Sequence, residues 1–385
     1  MHILIVALHR PVKPTGVCRH AVNLAQCLAD HETVSQVSLV IGAWQKDYFA
    51  TSFQLHSSKI NWVSIDINND SISRNLWFLF GLPKLLRNLQ PDLVHLAFPL
   101  PFMRALLPCP VVTTIHDLYP YEFPENFGSQ APFNRLFLKQ SVSSSDGLSC
   151  VSQATLDKLK FYFPNKNAHR KASVVYNYVD FSHVQPTTLS DRTIDFPFLL
   201  CVAQHRKNKN LDLLIQAFDL LKKSQQLDER TKLVLVGDSG PETENILHRI
   251  ASLSLQKQIL FLSFLDDSEL CWLYQNCEVF VIPSATEGFC LPLVEALYLS
   301  CKVVCSDIPI FREVGSTQST FFSLQGDPVQ NLAEAIATTL PQAKQDNTFA
   351  VTHFSKTNAA RQYLALYSAI VPQLFDNQRP LEQSL

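Results

Sequence analysis

The chain has 385 residues, enough for two or three domains, with 46% hydrophobic and 17% charged residues and a net charge of −2. That balance fits an ordinary soluble globular protein and offers no electrostatic case for nucleic acid as a partner. No run approaches the ~20 apolar residues that span a bilayer, and the ten cysteines contain no C-x-x-C pair, which points to buried, reduced thiols.

Met1 to Ala7 is apolar but lacks the charged start and cleavage site of a secretory signal. Ile3 to Leu8 is expected to be a first strand. A loop with Pro11, Pro14, Thr15 and Gly16 follows, then a helix from Val17 to Ala29. Further strands are predicted at Val37–Ile41, Ile60–Ile65, Leu93–Leu96, Val111–Ile115, Leu148–Val151 and Ser173–Tyr176. Helical patterns lie between them at 72–89, 131–145 and 153–163. Leu76 to Leu82 is the most apolar surface candidate, and the core side of a helix is the expected place for it.

Between Ser182 and Asp195 the composition turns polar, and a linker is expected there. A second alternating set begins at Phe198–Val202. It continues through helix 210–224, strand Leu233–Val236, helix 241–253, strand Ile259–Phe261, helix 267–275 and strands Val279–Ile282 and Lys302–Cys305. Helices near 328–340 and 355–371 close it. Alternation of this kind predicts α/β architecture, two Rossmann-like parallel-sheet domains facing a cleft, with ligands beyond the carboxyl ends of the strands. The expected domains are 1–185, 186–353 and a C-terminal helix and tail, 354–385.

The segment Ser284-Ala285-Thr286-Glu287-Gly288-Phe289-Cys290-Leu291-Pro292-Leu293-Val294-Glu295 follows a buried strand. Pro283 and Gly288 break that strand, and Pro292 suits the first turn of a helix. Glu287 should sit in the turn and Glu295 one turn inside the helix. Backbone N–H groups of roughly 289–293, lacking intrahelical partners, make a seat for phosphate. After the first strand of the second half, Gln204-His205-Arg206-Lys207-Asn208-Lys209-Asn210 brings three cations in four residues to a strand's carboxyl end. They suit a diphosphate. Gly16 lets backbone approach a ligand, with Arg19 and His20 one turn on and able to face the cleft. His116 ends the strand at Thr114-Ile115. The ten glycines allow no G-x-G-x-x-G fingerprint, and no D-x-D metal clamp is present.

These motifs resemble those of the retaining glycosyltransferases of family four, glycosyl transferases group 1, which have the GT-B fold and an E-x7-E signature. The resemblance covers residues 1 to about 370. It implies that Glu287 touches donor-sugar hydroxyls and Glu295 the donor ribose, with Gly288, Phe289, Cys290 and Leu291 lining sugar and diphosphate. Cys290 stands where the family usually has Gly. Lys209-Asn210-Leu211 matches the family's phosphate lysine, whereas Gln204 replaces its arginine, leaving Arg206 as substitute. His116, in an H-D-L element that runs on to Pro124-Glu125, would reach the donor sugar, and Gly16 matches the N-terminal glycine loop. Glu287, His116 and Lys209 are thus the expected catalytic residues. Asn177 and Asp180 are expected at a hinge, and Glu313, beside Asp307 and Arg312, in sugar-pocket support or a salt bridge.

The expected function is transfer of a hexosyl group, with retention, from a nucleotide-diphosphate sugar to a hydroxyl acceptor in glycan or polysaccharide biosynthesis. The acceptor would be a saccharide or lipid-linked saccharide. No metal or other cofactor and no nucleic acid are expected. A cytoplasmic location is expected, with peripheral contact at the inner membrane left open. The other readings are a nucleotide-sugar epimerase of the same fold, a non-catalytic nucleotide-sugar binder and a two-carboxylate glycoside hydrolase. The last suits Glu295 poorly, because it is tied to a helix turn beside a phosphate seat.

Overall fold

A computed structural model describes residues 1–375 apart from 14, 54, 125–127, 129, 166–170 and 345. Pro14, Glu125 and the tail after 375 therefore lie outside the described residues. The chain divides into two compact units, Met1–Tyr178 with Lys356–Leu385, and Val179–Ser355.

The first unit holds seven strands, β1 (His2–Val6), β2 (Gln36–Gly42), β3 (Ile60–Ile65), β4 (Leu93–Leu96), β5 (Val111–Ile115), β6 (Gly147–Cys150) and β7 (Ala172–Val174). They form one parallel sheet in the order β3-β2-β1-β4-β5-β6-β7. The chain runs outward from β1 to β3, then returns to the other side of β1 at β4, so the sheet reverses direction between β1 and β4.

Period-2 alternation, with both faces of the sheet covered, explains why β1 is apolar from Ile3 to Val6. Ile3 and Ile5 join the cluster beneath helices Gly16–Ala29 and Lys356–Ile370. Leu4 and Val6 join the opposite cluster, with Phe78, Leu82 and Leu86. The C-terminal helix thus crosses back to the first unit, where Ala359, Ala360, Tyr363, Leu364, Leu366 and Tyr367 are buried. It lies so close to β6 that a Cβ on Gly147 would collide with the Ile370 side chain.

The first unit ends at Tyr178 rather than at the polar stretch beginning at 182, for a packing reason. Tyr178 is buried in the first core, whereas the Val179 N–H already bonds to the Phe354 carbonyl of the second unit.

The 72–89 helix is observed as two α segments, Ser71–Leu76 and Leu82–Leu89, joined by a π turn at Trp77–Gly81. Here the expectation of a core-facing Leu76–Leu82 fails in part. Phe78 and Leu82 are buried, but Leu76 is 52% and Phe80 62% exposed. A run of five apolar residues has no polar face to show which side turns outward.

The second unit holds β8 (Phe198–Val202), β9 (Lys232–Val236), β10 (Ile259–Leu262), β11 (Val279–Ile282), β12 (Val303–Ser306) and β13 (Thr320–Phe322). They form a parallel sheet in the order β10-β9-β8-β11-β12-β13, which reverses between β8 and β11. Strand β13 is an addition to the predicted set, since three residues are too short to show a period. The edge Pro-initiated helix Pro309–Gly315 was likewise not visible in the sequence.

Candidate active site

In an open parallel sheet the crevice lies outside the carboxyl ends of the strands where the order reverses. In the second unit those ends belong to β8 and β11. Their loops, 203–210 and 283–290, are stitched together by three consecutive residues. The Ala285 N–H donates to the Asn208 carbonyl at 2.8 Å, and Asn208 Nδ2 donates to the Thr286 carbonyl at 3.2 Å. Asn210 Nδ2 donates to the Pro283 carbonyl at 3.0 Å. Between these two asparagines, Lys209 Nζ forms an ion pair with Glu287 Oε1. Asn210 is left-handed (φ 49°, ψ 37°), a conformation Asn tolerates well, and it starts helix Leu211–Lys223.

The ion pair is shielded, with side chains 19% (Lys209) and 8% (Glu287) exposed. Burial opposes the lysine charge, but the Glu287 carboxylate and its hydrogen bond outweigh it, so the ammonium is held above its ordinary pKa. Arg206 and Lys207 share the loop but are exposed. Behind the loop, backbone crowds backbone: a Cβ on Gly237 would collide with the Ala203 carbonyl, and one on Gly240 would lie 2.5 Å from the His205 carbonyl oxygen. His205 itself, absent from the expected set, is 3% exposed, and its Nδ1 meets Thr243 Oγ1 at 2.9 Å.

Glu287 lies in the turn after β11, and Glu295 lies inside helix Leu291–Tyr298. The structure adds Tyr274, whose hydroxyl donates to Glu295 Oε2 at 2.8 Å in a buried setting. Burial, then the Glu295 charge, push the Tyr274 phenol well above its usual pKa, so it remains a donor. A buried Tyr needs a hydroxyl partner, but nothing in the sequence tied position 274 to 295.

Cys290 precedes the helix at φ 71°, ψ 75°, which explains why a glycine suits this position. A side chain there costs on the order of 1–2 kcal/mol. Burial and Glu287 keep its thiol protonated, far above the ordinary thiol range. One expectation needs correction: the Leu293 N–H is taken by the Cys290 carbonyl at 3.1 Å, so it is not part of an open phosphate seat.

In the first unit, His116 follows β5. Its Nε2 donates to the Ala97 carbonyl, in the loop after β4, at 2.8 Å. Burial lowers its pKa to about 4, so at neutral pH the ring is uncharged and Nδ1 carries the lone pair. His20, read in the sequence as able to face the cleft, is sealed in the interior. It is 2% exposed and stands edge-on to His116 at 4.6 Å between ring centroids.

Both His20 nitrogens belong to a buried chain of hydrogen bonds. Nδ1 meets Asn177 Oδ1 at 2.6 Å, and Nε2 meets Thr114 Oγ1 at 3.2 Å. Thr114 Oγ1 also meets His95 Nε2 at 2.7 Å, and His95 Nδ1 meets Tyr367 of the C-terminal helix at 2.6 Å. One proton assignment satisfies every link: Tyr367 donates to His95, His95 to Thr114, Thr114 to His20 and His20 to Asn177. Asn177 is thus locked in the first core, while Asp180 accepts from Ser182 at 2.9 Å.

Gly16 opens its helix behind the Thr15 cap, and a Cβ there would meet nothing within 4 Å, so the fold itself does not require glycine. Arg19 lies 5.6 Å over the Phe53 ring. Asp117 Oδ1 accepts from the Tyr119 N–H at 3.1 Å, a local turn contact. In the element around Glu313, Arg312 forms an ion pair with Asp307 at 2.6 Å. Among the described residues, no group of three or more His, Cys, Asp or Glu side chains is placed to hold a metal ion.

Residues 191–350 match the family model described as glycosyl transferases group 1, and residues 14–183 match that described as Glycosyltransferase Family 4. This chain belongs to the family four, group 1 glycosyltransferases. Among solved structures, the chain resembles Anabaena Alr3699/HepE in complex with UDP and glucose (TM-score 0.70, 19% identity, 96% of this chain and 100% of that one). It also resembles the lipopolysaccharide outer core galactosyltransferase WaaB (TM-score 0.65, 14% identity, 96% and 99%). Both likenesses support the GT-B fold. Among curated proteins, the Escherichia coli serotype-specific mannosyltransferase WbdA is 27% identical over 61% of this chain and 31% of its own length. The Salmonella typhimurium O-antigen chain mannosyltransferase RfbU is 28% identical over 52% and 53%. The chain thus spans about a third to a half of these relatives' own lengths.

Proposed function

We propose that this glycosyltransferase moves a hexosyl group from a nucleoside-diphosphate sugar to a hydroxyl of a saccharide or lipid-linked saccharide, in glycan or polysaccharide biosynthesis. The observation that carries the reading is the Lys209–Glu287 ion pair, placed where the second sheet reverses direction. The relatives named as O-antigen mannosyltransferases, and the neighbour bound to UDP and glucose, support the substrate class.

In this reading, the bond between the anomeric carbon and the diphosphate oxygen breaks with retention of configuration. Negative charge grows on the leaving diphosphate, which Lys209, Arg206 and the amides near Phe289 to Leu291 stabilise. Gly288 and Cys290 shape the turn around the sugar. Glu287 holds donor hydroxyls and orients the anomeric carbon. Glu295, steadied by Tyr274, meets the ribose. His116 accepts a hydrogen bond from a sugar hydroxyl through Nδ1, and the backbone at Gly16 approaches the diphosphate side. The acceptor hydroxyl attacks the same face, and its proton passes to the departing phosphate oxygen. No metal takes part, and the enzyme works in the cytoplasm or peripherally at the inner membrane.

The test is a panel of nucleoside-diphosphate sugars with mannose, glucose or galactose, with and without EDTA, reading free nucleoside diphosphate and transferred sugar. Release in the presence of a saccharide acceptor, unaffected by EDTA, is the expected result. Interconversion without release would mean an epimerase, binding without turnover a silent binder, and indifference to every donor a different activity altogether. Loss with EDTA, restored by Mg²⁺ or Mn²⁺, would overturn the metal-free mechanism alone.

A further inference from the structure

The helical stretch 71–89 carries an apolar stripe that nothing in its own unit covers. Ile72 is 74%, Leu76 52% and Phe80 62% exposed. They recur every four residues, and the exposed Lys84 takes the next step. On a regular helix such a stripe drifts by about 40° per step. The wider π turn at Trp77–Gly81 absorbs an extra residue and slows that drift, keeping the stripe on one side. Exposed Arg87 follows one turn after Pro83. Between 71 and 91 the sequence has three basic residues, Arg74, Lys84 and Arg87, and no acidic one. The flanking acids are engaged elsewhere: before the helix Asp70 accepts from the Ile72 and Ser73 N–H groups at 2.9 Å, and after it Asp92 accepts from the His2 N–H at 2.7 Å.

We propose that this face is a docking surface for an anionic lipid membrane, with Ile72, Leu76 and Phe80 entering the headgroup boundary and Lys84 and Arg87 meeting the lipid phosphates. A large apolar stripe continued by cations is what an interfacial helix requires, and juxtaposed Lys and Arg draw such a surface to anionic lipid. A second copy of the chain is the weaker occupant. The three apolar side chains span about 12 Å of helix, whereas a stable dimer needs about 800 Å² from each partner. The inference deepens the reading of a lipid-linked acceptor by naming the surface that would bring the enzyme to it.

Flotation of the full chain tests it, using vesicles of phosphatidylethanolamine with phosphatidylglycerol against phosphatidylcholine alone, free of donor and acceptor. The wild type should float with the anionic vesicles. Ile72→Ser/Leu76→Ser/Phe80→Ser should bind them about 10-fold more weakly or worse with little change in melting temperature, since all three residues are more than half exposed. Should that variant fold poorly, Lys84→Glu/Arg87→Glu probes the same face and should lose the preference for anionic lipid. A wild type that stays out of anionic vesicles, or variants that both float as it does, would overturn the proposal. So would a dimer in sedimentation that the triple substitution splits, because the face would then join two copies. Donor turnover is measured separately, so its absence would strike the proposed activity and leave the flotation result standing.

Discussion

Lys209 and Glu287 are each shielded because the other is there. Removing one partner leaves a buried charge without compensation, which costs roughly 3–5 kcal/mol in such pairs. Lys209→Met or Glu287→Gln should therefore lower the melting temperature as well as donor turnover. The double variant Lys209→Met/Glu287→Gln should recover much of the stability and none of the activity. A double variant as unstable as the worse single one would show that the pair is not the coupled unit seen here. Arg206→Ala should cost less turnover, and Lys207→Ala least, since both side chains are exposed and leave no buried partner behind. The pairing was only half legible: the sequence placed both residues in loops after strands and matched Lys209-Asn210-Leu211 to a motif, but it did not show that Asn208 and Asn210 hold Lys209 between them. Their partners are backbone carbonyls more than seventy residues away, and such bonds leave no pattern in composition.

At the scale of elements, the ends of β1, β4 and β5 bring together histidines that the sequence scatters over a hundred residues. Burial lowers His95 to a pKa of about 3 and His9 and His116 to about 4, and drives His20 well down. The folded state therefore binds fewer protons than the unfolded chain between about pH 4 and the ordinary histidine value of 6.5. Stability from these rings is complete above 6.5 and is lost as pH falls toward 4. His95 alone contributes on the order of 3 kcal/mol over that interval. Denaturant melts at pH 7 and pH 4.5, followed by tryptophan emission, should show a marked loss. Trp44, Trp62 and Trp77 belong to the first unit and Trp272 to the second, so most of the signal reports the unit that holds the rings. Equal midpoints at both pH values would mean that the rings are protonated in the folded state. The strands themselves were well marked: β3, β4, β5, β8 and β11 occupy the residues expected, because each is a short β-branched or apolar run closed by turn residues. Which face of a helix turned inward was not marked, as His20 and Phe80 show from opposite sides.

For the whole molecule, the first unit is completed by the last helix of the chain. Truncation after Ser355 would strip Tyr363, Leu364, Leu366 and Tyr367 from its core and leave His95 without the Tyr367 hydroxyl. Each such side chain is worth about 1.5–3 kcal/mol of burial, so together they approach the roughly 5–15 kcal/mol that holds a domain folded. The shortened chain should be insoluble or melt far below the full one, although every residue assigned to donor binding remains. A truncated protein with an unchanged melt would show that the helix is dispensable.

The sequence by itself determined the parallel α/β class, the positions of most strands and the loops at their carboxyl ends, because these follow from local apolar periodicity and from Pro and Gly, which act over a few residues. It also placed Glu287, Lys209 and His116 in the segments that follow strands and Glu295 one turn inside the helix after β11. Only the tertiary structure decided that Lys209 pairs with Glu287, that Tyr274 holds Glu295, that His20 is sealed inside and that Leu76 and Phe80 are left outside. Those outcomes depend on which distant elements pack together, and the free energy of burying a polar or apolar side chain is set by neighbours that the local sequence does not contain.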